Sequence, residues 1–156
     1  MKTLIINGPN LNLVGKRKTE VYGEQDVDSY FKTLEKKYTF EVYQSNVEGE
    51  IINRLHQADT QNYNAILLNA GGYTHTSVAI TDAIEAIDTK VIEIHISNIF
   101  DREDFRNKSL ISKNCAGHIS GFGLKSYEIG LLSLITNTKY EKKRIFECLK
   151  TWIANN

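Results

Sequence analysis

The sequence predicts an α/β fold, a doubly wound, five-stranded parallel sheet with helices on both faces. Short apolar runs rich in β-branched residues alternate with longer stretches in which apolar residues recur every three or four positions. This alternation is typical of parallel strands joined by crossover helices. Residues 65–68 (AILL) are apolar without interruption, as is typical of a strand covered on both faces. The 156 residues fit one domain, and we expect residues 1–156 to form it.

Each element has its own signal in the sequence. The strands end at turn-forming residues, such as GPN at 8–10. The helices show apolar residues at i, i+3, i+4 and i+7 behind a capping residue, which is Asp26 for the first helix and Thr76 or Ser77 for the third. We expect strands at residues 3–7, 39–45, 65–68, 91–98 and 116–120, and helices at residues 26–38 and 48–58. A third helix should follow its cap and carry an apolar stripe from Ile80 to Ile87, and a final helix should follow the GFG turn at 121–123 and carry an apolar stripe from Ile129 to Ile135, before a last amphipathic stretch at 140–153. Elements of this size and order predict a flavodoxin-like arrangement.

The charge balance argues against two classes of partner. The 19 Lys and Arg residues match 19 Asp and Glu residues, which argues against bulk binding to nucleic acid or to an anionic membrane. No apolar run approaches the roughly 18 residues of a membrane span, and the first apolar run is too short for a signal peptide. Cys115 and Cys148 show neither CxxC nor metal-ligand spacing, which favours a reducing compartment. We therefore expect a cytoplasmic protein.

A row of polar side chains follows one face of the fourth strand. Because side chains alternate along a strand, Glu93, His95 and Ser97 share one face and the isoleucines between them share the other. An antiparallel strand with one solvated face would show the same pattern, so these residues alone leave both interpretations open. The predicted parallel sheet decides between them, because its strands are covered on both faces. We expect the polar row to be buried or to face a pocket, where it needs partners.

Short polar residues also stand at the carboxyl ends of the first four strands. These ends meet at one edge of the sheet, where ligands bind in folds of this type. Turn formation explains any single one of these residues, but their recurrence beside the polar strand face favours a site for a polar, oxygen-rich ligand. The residues are Asn7, Asn10, Ser45, Asn46, Asn69, Ser97 and Asn98.

Several common site motifs are missing from the sequence. The segment after the first strand, NGPNLNLVG, has neither the glycine spacing of a dinucleotide-binding turn nor the lysine and hydroxyl pair of a P-loop. His75 and His95 stand outside any local metal motif such as HExxH. We therefore expect neither a cofactor nor a metal, and acid–base chemistry remains.

Two side chains are candidates for that acid–base chemistry. One is His95, oriented by Glu93 or another carboxylate. The other is Tyr22 in the polar, basic segment 11–25, which is long for a loop in a compact domain; such loops are usually functional or disordered. A loop tyrosine is by default a surface residue, but Arg17 and its basic neighbours would stabilise a phenolate and attract an anionic substrate.

Six ordered blocks of the sequence resemble type II 3-dehydroquinate dehydratases. The match runs from Leu4 to about Leu134, and we assign residues 1–138 to the family and residues 139–156 to a C-terminal helical extension. The blocks are residues 8–23 (GPNLNL, GKR and VYG), 44–49 (QSNVEG), 69–82 (NAGGYTHTSVAITD), 93–98 (EIHISN), 102–106 (REDFR) and 121–123 (GFG).

The resemblance implies a lyase that converts 3-dehydroquinate to 3-dehydroshikimate by an enolate-type elimination of water. This reaction serves the shikimate pathway of aromatic amino acid biosynthesis and also quinate breakdown. By the same resemblance Tyr22 is the base and Arg17 lowers its pKa. His95 protonates the departing hydroxyl and Glu93 orients it. Asn10 holds a water at the enolate oxygen.

The resemblance also implies a set of substrate contacts and an assembly. Family members are homododecamers, tetramers of trimers, that act on a small anionic substrate without a cofactor or a metal. The implied substrate-binding residues are Asn69, Ser97 and the backbone of Ile96 for the carboxylate, His75 and Arg106 for ring hydroxyls, and Asp82 from a neighbouring subunit.

The sequence departs from the family in two places. The proline that usually stands two or three residues before the tyrosine is missing from Lys18-Thr19-Glu20, and Phe100-Asp101 stands where His-Ala is frequent. Both places neighbour the implied catalytic positions. The alternative is a flavodoxin-like binding or regulatory module without catalysis. Loss of Tyr22, Arg17 or His95 would favour that alternative, and all three residues are present.

Overall fold

The computed structural model describes residues 1–15 and 27–135. Its strands form one fully parallel sheet in the order β2-β1-β3-β4-β5, which is the flavodoxin-like order that the sequence predicts. The strands are β1 (Thr3–Asn7), β2 (Phe40–Gln44), β3 (Ala65–Asn69), β4 (Lys90–His95) and β5 (Gly117–Ser120). The helices are α1 (Val27–Leu34), α2 (Glu48–Thr60), α3 (Val78–Glu85) and α4 (Lys125–Ile135).

Two apolar cores lie on opposite faces of the sheet. Alternate residues of a strand point to opposite faces, so Ile5 packs with α1 and α4 while its neighbours Leu4 and Ile6 pack with α2 and α3. The central strand β3 supplies both cores from its continuous apolar run and is fully buried. The prediction of a doubly wound fold with helices on both faces is therefore confirmed.

Several element ends differ from the predicted ones for local reasons. Helix α1 ends at Leu34 instead of residue 38, although Tyr38 still packs against the core below it. Strand β4 ends at His95 because its pairing with β5 ends there, where His95 lies opposite Ser120. Of the two predicted caps of α3, Ser77 is the one used, since its Oγ accepts the Ile80 N–H at 2.8 Å.

The segment between β4 and β5 folds back over the polar face of β4. This segment contains two 3₁₀ turns, Ile99–Asp101 and Asp104–Arg106. Ile111 from this segment is fully buried in the same core as α2 and α3. The predicted C-terminal extension, residues 139–156, lies outside the described residues. In the described part of the chain, no helix has the length and apolar character needed to cross a membrane.

Candidate active site

A cleft of about 330 Å³ lies at the carboxyl edge of the sheet. The residues that line it follow the ends of β1, β3 and β4, as the sequence predicts for ligands in this fold. Seven of the predicted site residues line it together: Asn10, Asn69, His75, His95, Ile96, Ser97 and Arg106.

Two glycines allow the loops after β1 and β3 to meet at the edge of this cleft. A Cβ atom on Gly8 would stand 2.5 Å from the backbone oxygen of Ala70, so no larger residue fits there. Gly71 has φ +59°, a left-handed conformation, and a Cβ atom on it would stand 3.1 Å from the backbone oxygen of Pro9. This close approach brings Asn10, which follows β1, and Asn69, the last residue of β3, to the same cleft.

Asn69 is held in place by a fully buried tyrosine of α4. The Asn69 amide nitrogen donates to Tyr127 Oη at 2.9 Å, and that hydroxyl donates to Asn7 Oδ1 at 2.7 Å. Asn69 Oδ1 accepts the Gly71 N–H at 3.3 Å. Because an amide nitrogen has two hydrogens, one N–H of Asn69 remains available to a ligand in the cleft.

His95 is the titratable side chain at the floor of the cleft. Its Nε2 lies 2.7 Å from Glu93 Oε1, and both side chains are almost fully buried. With Nε2–H donating to the carboxylate, the other ring nitrogen, Nδ1, is left for the ligand. Burial lowers the pKa of His95 below 6.5, although the hydrogen bond and the charge of Glu93 oppose that effect.

The Glu93 carboxylate is buried but accepts hydrogen bonds from four side chains. Ser109 shares Oε1 with His95, while Ser112 and His118 both contact Oε2. Burial alone would raise the pKa of Glu93, but the hydrogen bonds from His95, Ser112 and His118 outweigh it and lower the pKa to about 2. Glu93 is thus an anion that holds the ring of His95. Of the predicted polar row, Glu93 and His95 are buried on β4, and Ser97, just beyond its end, lines the cleft.

Sequence reasoning gave no role to Arg102, which the structure brings into the cleft. Its Nη2 donates to Ser97 Oγ, and its Nη1 lies 3.4 Å from His75 Nε2. His75 Nδ1 lies 2.6 Å from the backbone oxygen of Lys108, so Nδ1 carries the hydrogen and Nε2 accepts from Arg102. The sequence signal for Arg102 was its place in the REDFR block, which does not distinguish it from Arg106.

The remaining predicted residues have different surroundings. Arg106 lines the cleft, but two of its nitrogens donate to Glu103 at 2.6 and 2.9 Å. Asn10 has φ 66°, a left-handed conformation that asparagine tolerates, and its N–H donates to Asn46 Oδ1 at 3.0 Å. Asp82 is exposed on α3 and does not line the cleft of its own chain. Arg17 and Tyr22 lie outside the described residues.

One group in the described part of the chain has the composition of a metal site. Glu93, His95 and His118 each offer a ligand atom, and these atoms lie within 4.8 Å of one another. The same atoms form N–H···O hydrogen bonds of 2.7 and 3.0 Å, so in this arrangement protons occupy the directions that a metal would use. The arrangement is suited to holding and releasing a proton at His95.

The cleft therefore combines one proton donor with several groups that bind oxygen atoms. Arg102 and Arg106 supply positive charge, while Asn10, Asn69 and Ser97 supply neutral hydrogen-bonding groups. Such a site suits a small anion that carries hydroxyl groups. An acid at its floor is placed to assist the departure of one of those hydroxyls.

Comparison with known proteins identifies relatives that match this chain over nearly their whole length. A 3-dehydroquinate dehydratase of Caldicellulosiruptor bescii is 49% identical over 138 residues, which cover 85% of this chain and 95% of that protein. One from Fusobacterium nucleatum is 47% identical over 142 residues, covering 86% of this chain and 97% of the relative. The crystal structure of a type II dehydroquinase from Butyrivibrio crossotus matches with a TM-score of 0.79 at 41% identity, covering 86% of this chain and 97% of that one. The model of the family Dehydroquinase class II matches residues 1–135, and the chain therefore belongs to that family.

Proposed function

We propose that this chain is a 3-dehydroquinate dehydratase, a lyase of the shikimate pathway. The observation that carries the proposal is the Glu93-supported His95 at the floor of a cleft lined by guanidinium and amide groups. Membership of the dehydroquinase family supplies the substrate, which the geometry alone would not. The site supports this reaction better than a binding module without catalysis, because a buried Glu–His pair is a proton-transfer arrangement.

The elimination needs one base and one acid. Removal of the proton next to the ketone leaves its electron pair as an enolate. When the ketone re-forms, the electrons make the new double bond and expel the β-hydroxyl. His95 Nδ1–H protonates that oxygen, which leaves as water. Asn10 is proposed to hold a water that stabilises the enolate oxygen.

The state of His95 explains why the substrate must be an anion. Because burial keeps the pKa of His95 below 6.5, most His95 is neutral at pH 7 in the free protein. A substrate carboxylate beside the ring stabilises the imidazolium that the reaction requires. Binding of the substrate then increases the fraction of His95 that is protonated and can act as the acid.

We assign the carboxylate to Asn69, Ser97 and the backbone of Ile96, and ring hydroxyls to His75 and Arg106. The remaining N–H of Asn69 suits a carboxylate oxygen. Ser97 Oγ accepts from Arg102, so its own O–H is free to donate to an anion.

Tyr22 is proposed as the base and Arg17 as the cation that makes it one. A free phenol has a pKa near 10, so only about one in a thousand is ionised at pH 7. A cation within about 6 Å lowers a phenol pKa by one to three units. We expect Tyr22→Phe to abolish turnover. Arg17→Ala should move the acidic limb of the kcat profile to higher pH; an unmoved limb would make Arg17 a substrate-binding cation only.

The assembly and the location of the protein are also proposals. We propose a homododecamer, a tetramer of trimers, in which Asp82 completes a neighbouring subunit's site. Its exposure on α3, outside its own cleft, supports this. We further propose that residues 1–156 act as one catalytic domain in the cytoplasm. Cys115, a free thiol, fits a reducing compartment.

The proposed function is tested by the absorbance of the conjugated enone product. Purified protein with 3-dehydroquinate should produce this absorbance, and His95→Ala should lower kcat by roughly 10²-fold or more while circular dichroism stays unchanged. Calorimetry distinguishes the alternative. Binding of 3-dehydroquinate without any product absorbance would replace the enzyme with a binding module. A folded, fully active His95→Ala variant would remove His95 from the mechanism.

A further inference from the structure

The buried Glu93 carboxylate is shared by two imidazoles, and one of them has no role in the proposed chemistry. His95 Nε2 lies 2.7 Å from Oε1, while His118 Nδ1 on β5 lies 3.0 Å from Oε2. The two rings are 5.4 Å apart and tilted by 40°. His118 comes from the neighbouring strand, since β5 places it opposite Glu93.

The hydrogen-bond directions at this carboxylate are fixed. Glu93 is ionised and accepts only, so both imidazole nitrogens donate to it. Ser112 Oγ contacts the same carboxylate oxygen and lies 3.1 Å from His118 Nδ1. In the described part of the chain, His118 Nε2 has no hydrogen-bond partner. Glu93 is therefore the ionised group to which the His118 ring is hydrogen-bonded.

The other groups around His118 are mostly uncharged. Phe100 packs beside its ring at a centroid distance of 5.6 Å. Burial, assisted by the charge of the nearby Glu93 carboxylate, raises the pKa of the Cys115 thiol to about 12, so that thiol is neutral. The positive charge of Arg102 lowers the pKa of His95. The charge that His118 faces is thus that of the Glu93–His95 pair.

We propose that His118 is a positioning residue that divides the charge of Glu93 between two imidazoles and so makes His95 a stronger proton donor. The proposal rests on the proposed role of His95 as the acid. A carboxylate that accepts from a single imidazolium forms a full ion pair with it, and this ion pair holds the proton on the imidazolium. A second N–H donor on the opposite oxygen withdraws part of that negative charge. His95 then releases its proton more readily to the departing hydroxyl.

The electrostatics of His95 agree with this geometry. Burial is the largest cause that lowers the pKa of His95, Glu93 opposes it, and the charge of His118 adds to the lowering. Removing His118 should therefore raise the pH at which His95 loses its proton. The His95 titration should move in this same direction whether the substitution acts by removing the hydrogen bond from His118 to Glu93 or by removing the charge of His118.

The first test is independent of turnover and follows the four histidines by NMR during a pH titration. Single substitutions at each histidine assign the signals. His118→Gln keeps an amide N–H toward Glu93, and His118→Leu keeps none. We expect the His95 titration to move to higher pH in His118→Gln and further in His118→Leu. His56→Gln, which replaces the exposed histidine of α2, is the matched control and should leave it unmoved.

The second readout is the kcat profile with 3-dehydroquinate. In His118→Gln the basic limb should move up with the NMR titration, and kcat below that limb should fall about twofold to fivefold because His95 is a weaker acid. His118 has only a structural role if the His95 titration stays at the wild-type pH in whichever of the two variants folds. If the titration moves but no protein, wild type included, forms product, the charge sharing stands and the proposed function fails.

Discussion

Tyr127 in α4 donates its hydroxyl hydrogen to Asn7 Oδ1 at the end of β1, 2.7 Å away and 120 positions earlier in the chain. The Tyr127 hydroxyl oxygen in turn accepts a hydrogen bond from the Asn69 amide nitrogen at 2.9 Å. One buried hydroxyl thus joins two strand ends beneath the cleft. It fixes which face of the Asn69 amide a ligand meets.

Removal of this hydroxyl should cost both stability and substrate affinity. Tyr127→Phe leaves the Asn7 oxygen and an Asn69 N–H buried without this partner, so we expect a loss of about 1–3 kcal/mol in the free energy of unfolding. KM should rise more than kcat falls, because Asn69 is proposed to bind the carboxylate and takes no direct part in the proton transfers. Urea unfolding and steady-state kinetics measure the two effects.

A second tyrosine provides the control for this substitution. Tyr73 Oη donates to the backbone oxygen of Asn46 at 3.0 Å in an exposed setting, where water replaces the lost partner. Tyr73→Phe should therefore cost under about 1 kcal/mol. Equal losses in the two variants would mean that burial of the Tyr127 hydroxyl contributes nothing of its own.

The contact between the loops after β1 and β3 predicts opposite effects for two glycine substitutions. A Cβ atom at Gly8 would stand 2.5 Å from the Ala70 oxygen, so Gly8→Ala should lower the free energy of unfolding by about 1–3 kcal/mol and open the cleft. Gly49 in α2 has nothing within 4 Å of such an atom, and Gly49→Ala should stabilise the helix by about 0.5–1 kcal/mol. Thermal unfolding of both variants shows whether each substitution raises or lowers the stability. A stable, fully active Gly8→Ala variant would contradict the close approach.

Much of this architecture was predictable, and the reason is local. The alternation of strands and helices, the polar face of β4 and the polar strand ends are all patterns within a few residues. The partners of those residues are not local. No pattern places Tyr127 beneath Asn7, because the pairing depends on how α4 crosses the sheet. His118 stands in no sequence motif, and only the pairing of β4 with β5 brings it to Glu93.

The lowered pKa of Glu93 predicts a specific loss of stability in acid. Its folded-state pKa is about 2 against an ordinary 4.5. A depressed carboxyl pKa stabilises the folded state above the unfolded value, and this contribution is lost as the pH falls through the folded value. The free energy of unfolding of the wild-type protein should therefore exceed that of Glu93→Gln by about 3 kcal/mol at neutral pH. The difference should shrink between about pH 4.5 and pH 2.

Chemical unfolding of both proteins across this range measures the difference directly. Other carboxyl groups titrate in both proteins, so their contributions cancel in the comparison. A difference that stays constant from neutral pH to pH 2 would show that the Glu93 carboxylate is not held as an anion by its four donors.

The two arginines of the cleft should contribute unequally to substrate binding. The hydrogen-bond partners of Arg102 are the Ser97 hydroxyl and the His75 ring, neither of which is a carboxylate. Arg106 instead directs two nitrogens to Glu103 at 2.6 and 2.9 Å, which neutralises part of its charge. Arg102 therefore offers the stronger positive field beside Ser97, where the substrate carboxylate is proposed to lie.

We expect Arg102→Ala to raise KM by about 10- to 100-fold, since a hydrogen bond to a charged group contributes about 1.5–3 kcal/mol. Arg106→Ala should raise KM only a few fold, because exposed paired charges contribute about 0–1 kcal/mol. Arg102→Lys keeps the charge but not the planar fork, so it should recover part of the affinity. Glu103→Gln removes the carboxylate that pairs with Arg106 and should lower KM slightly. If Arg106→Ala raises KM more than Arg102→Ala does, the carboxylate lies on the Arg106 side of the cleft, and the assignment to Asn69 and Ser97 is wrong.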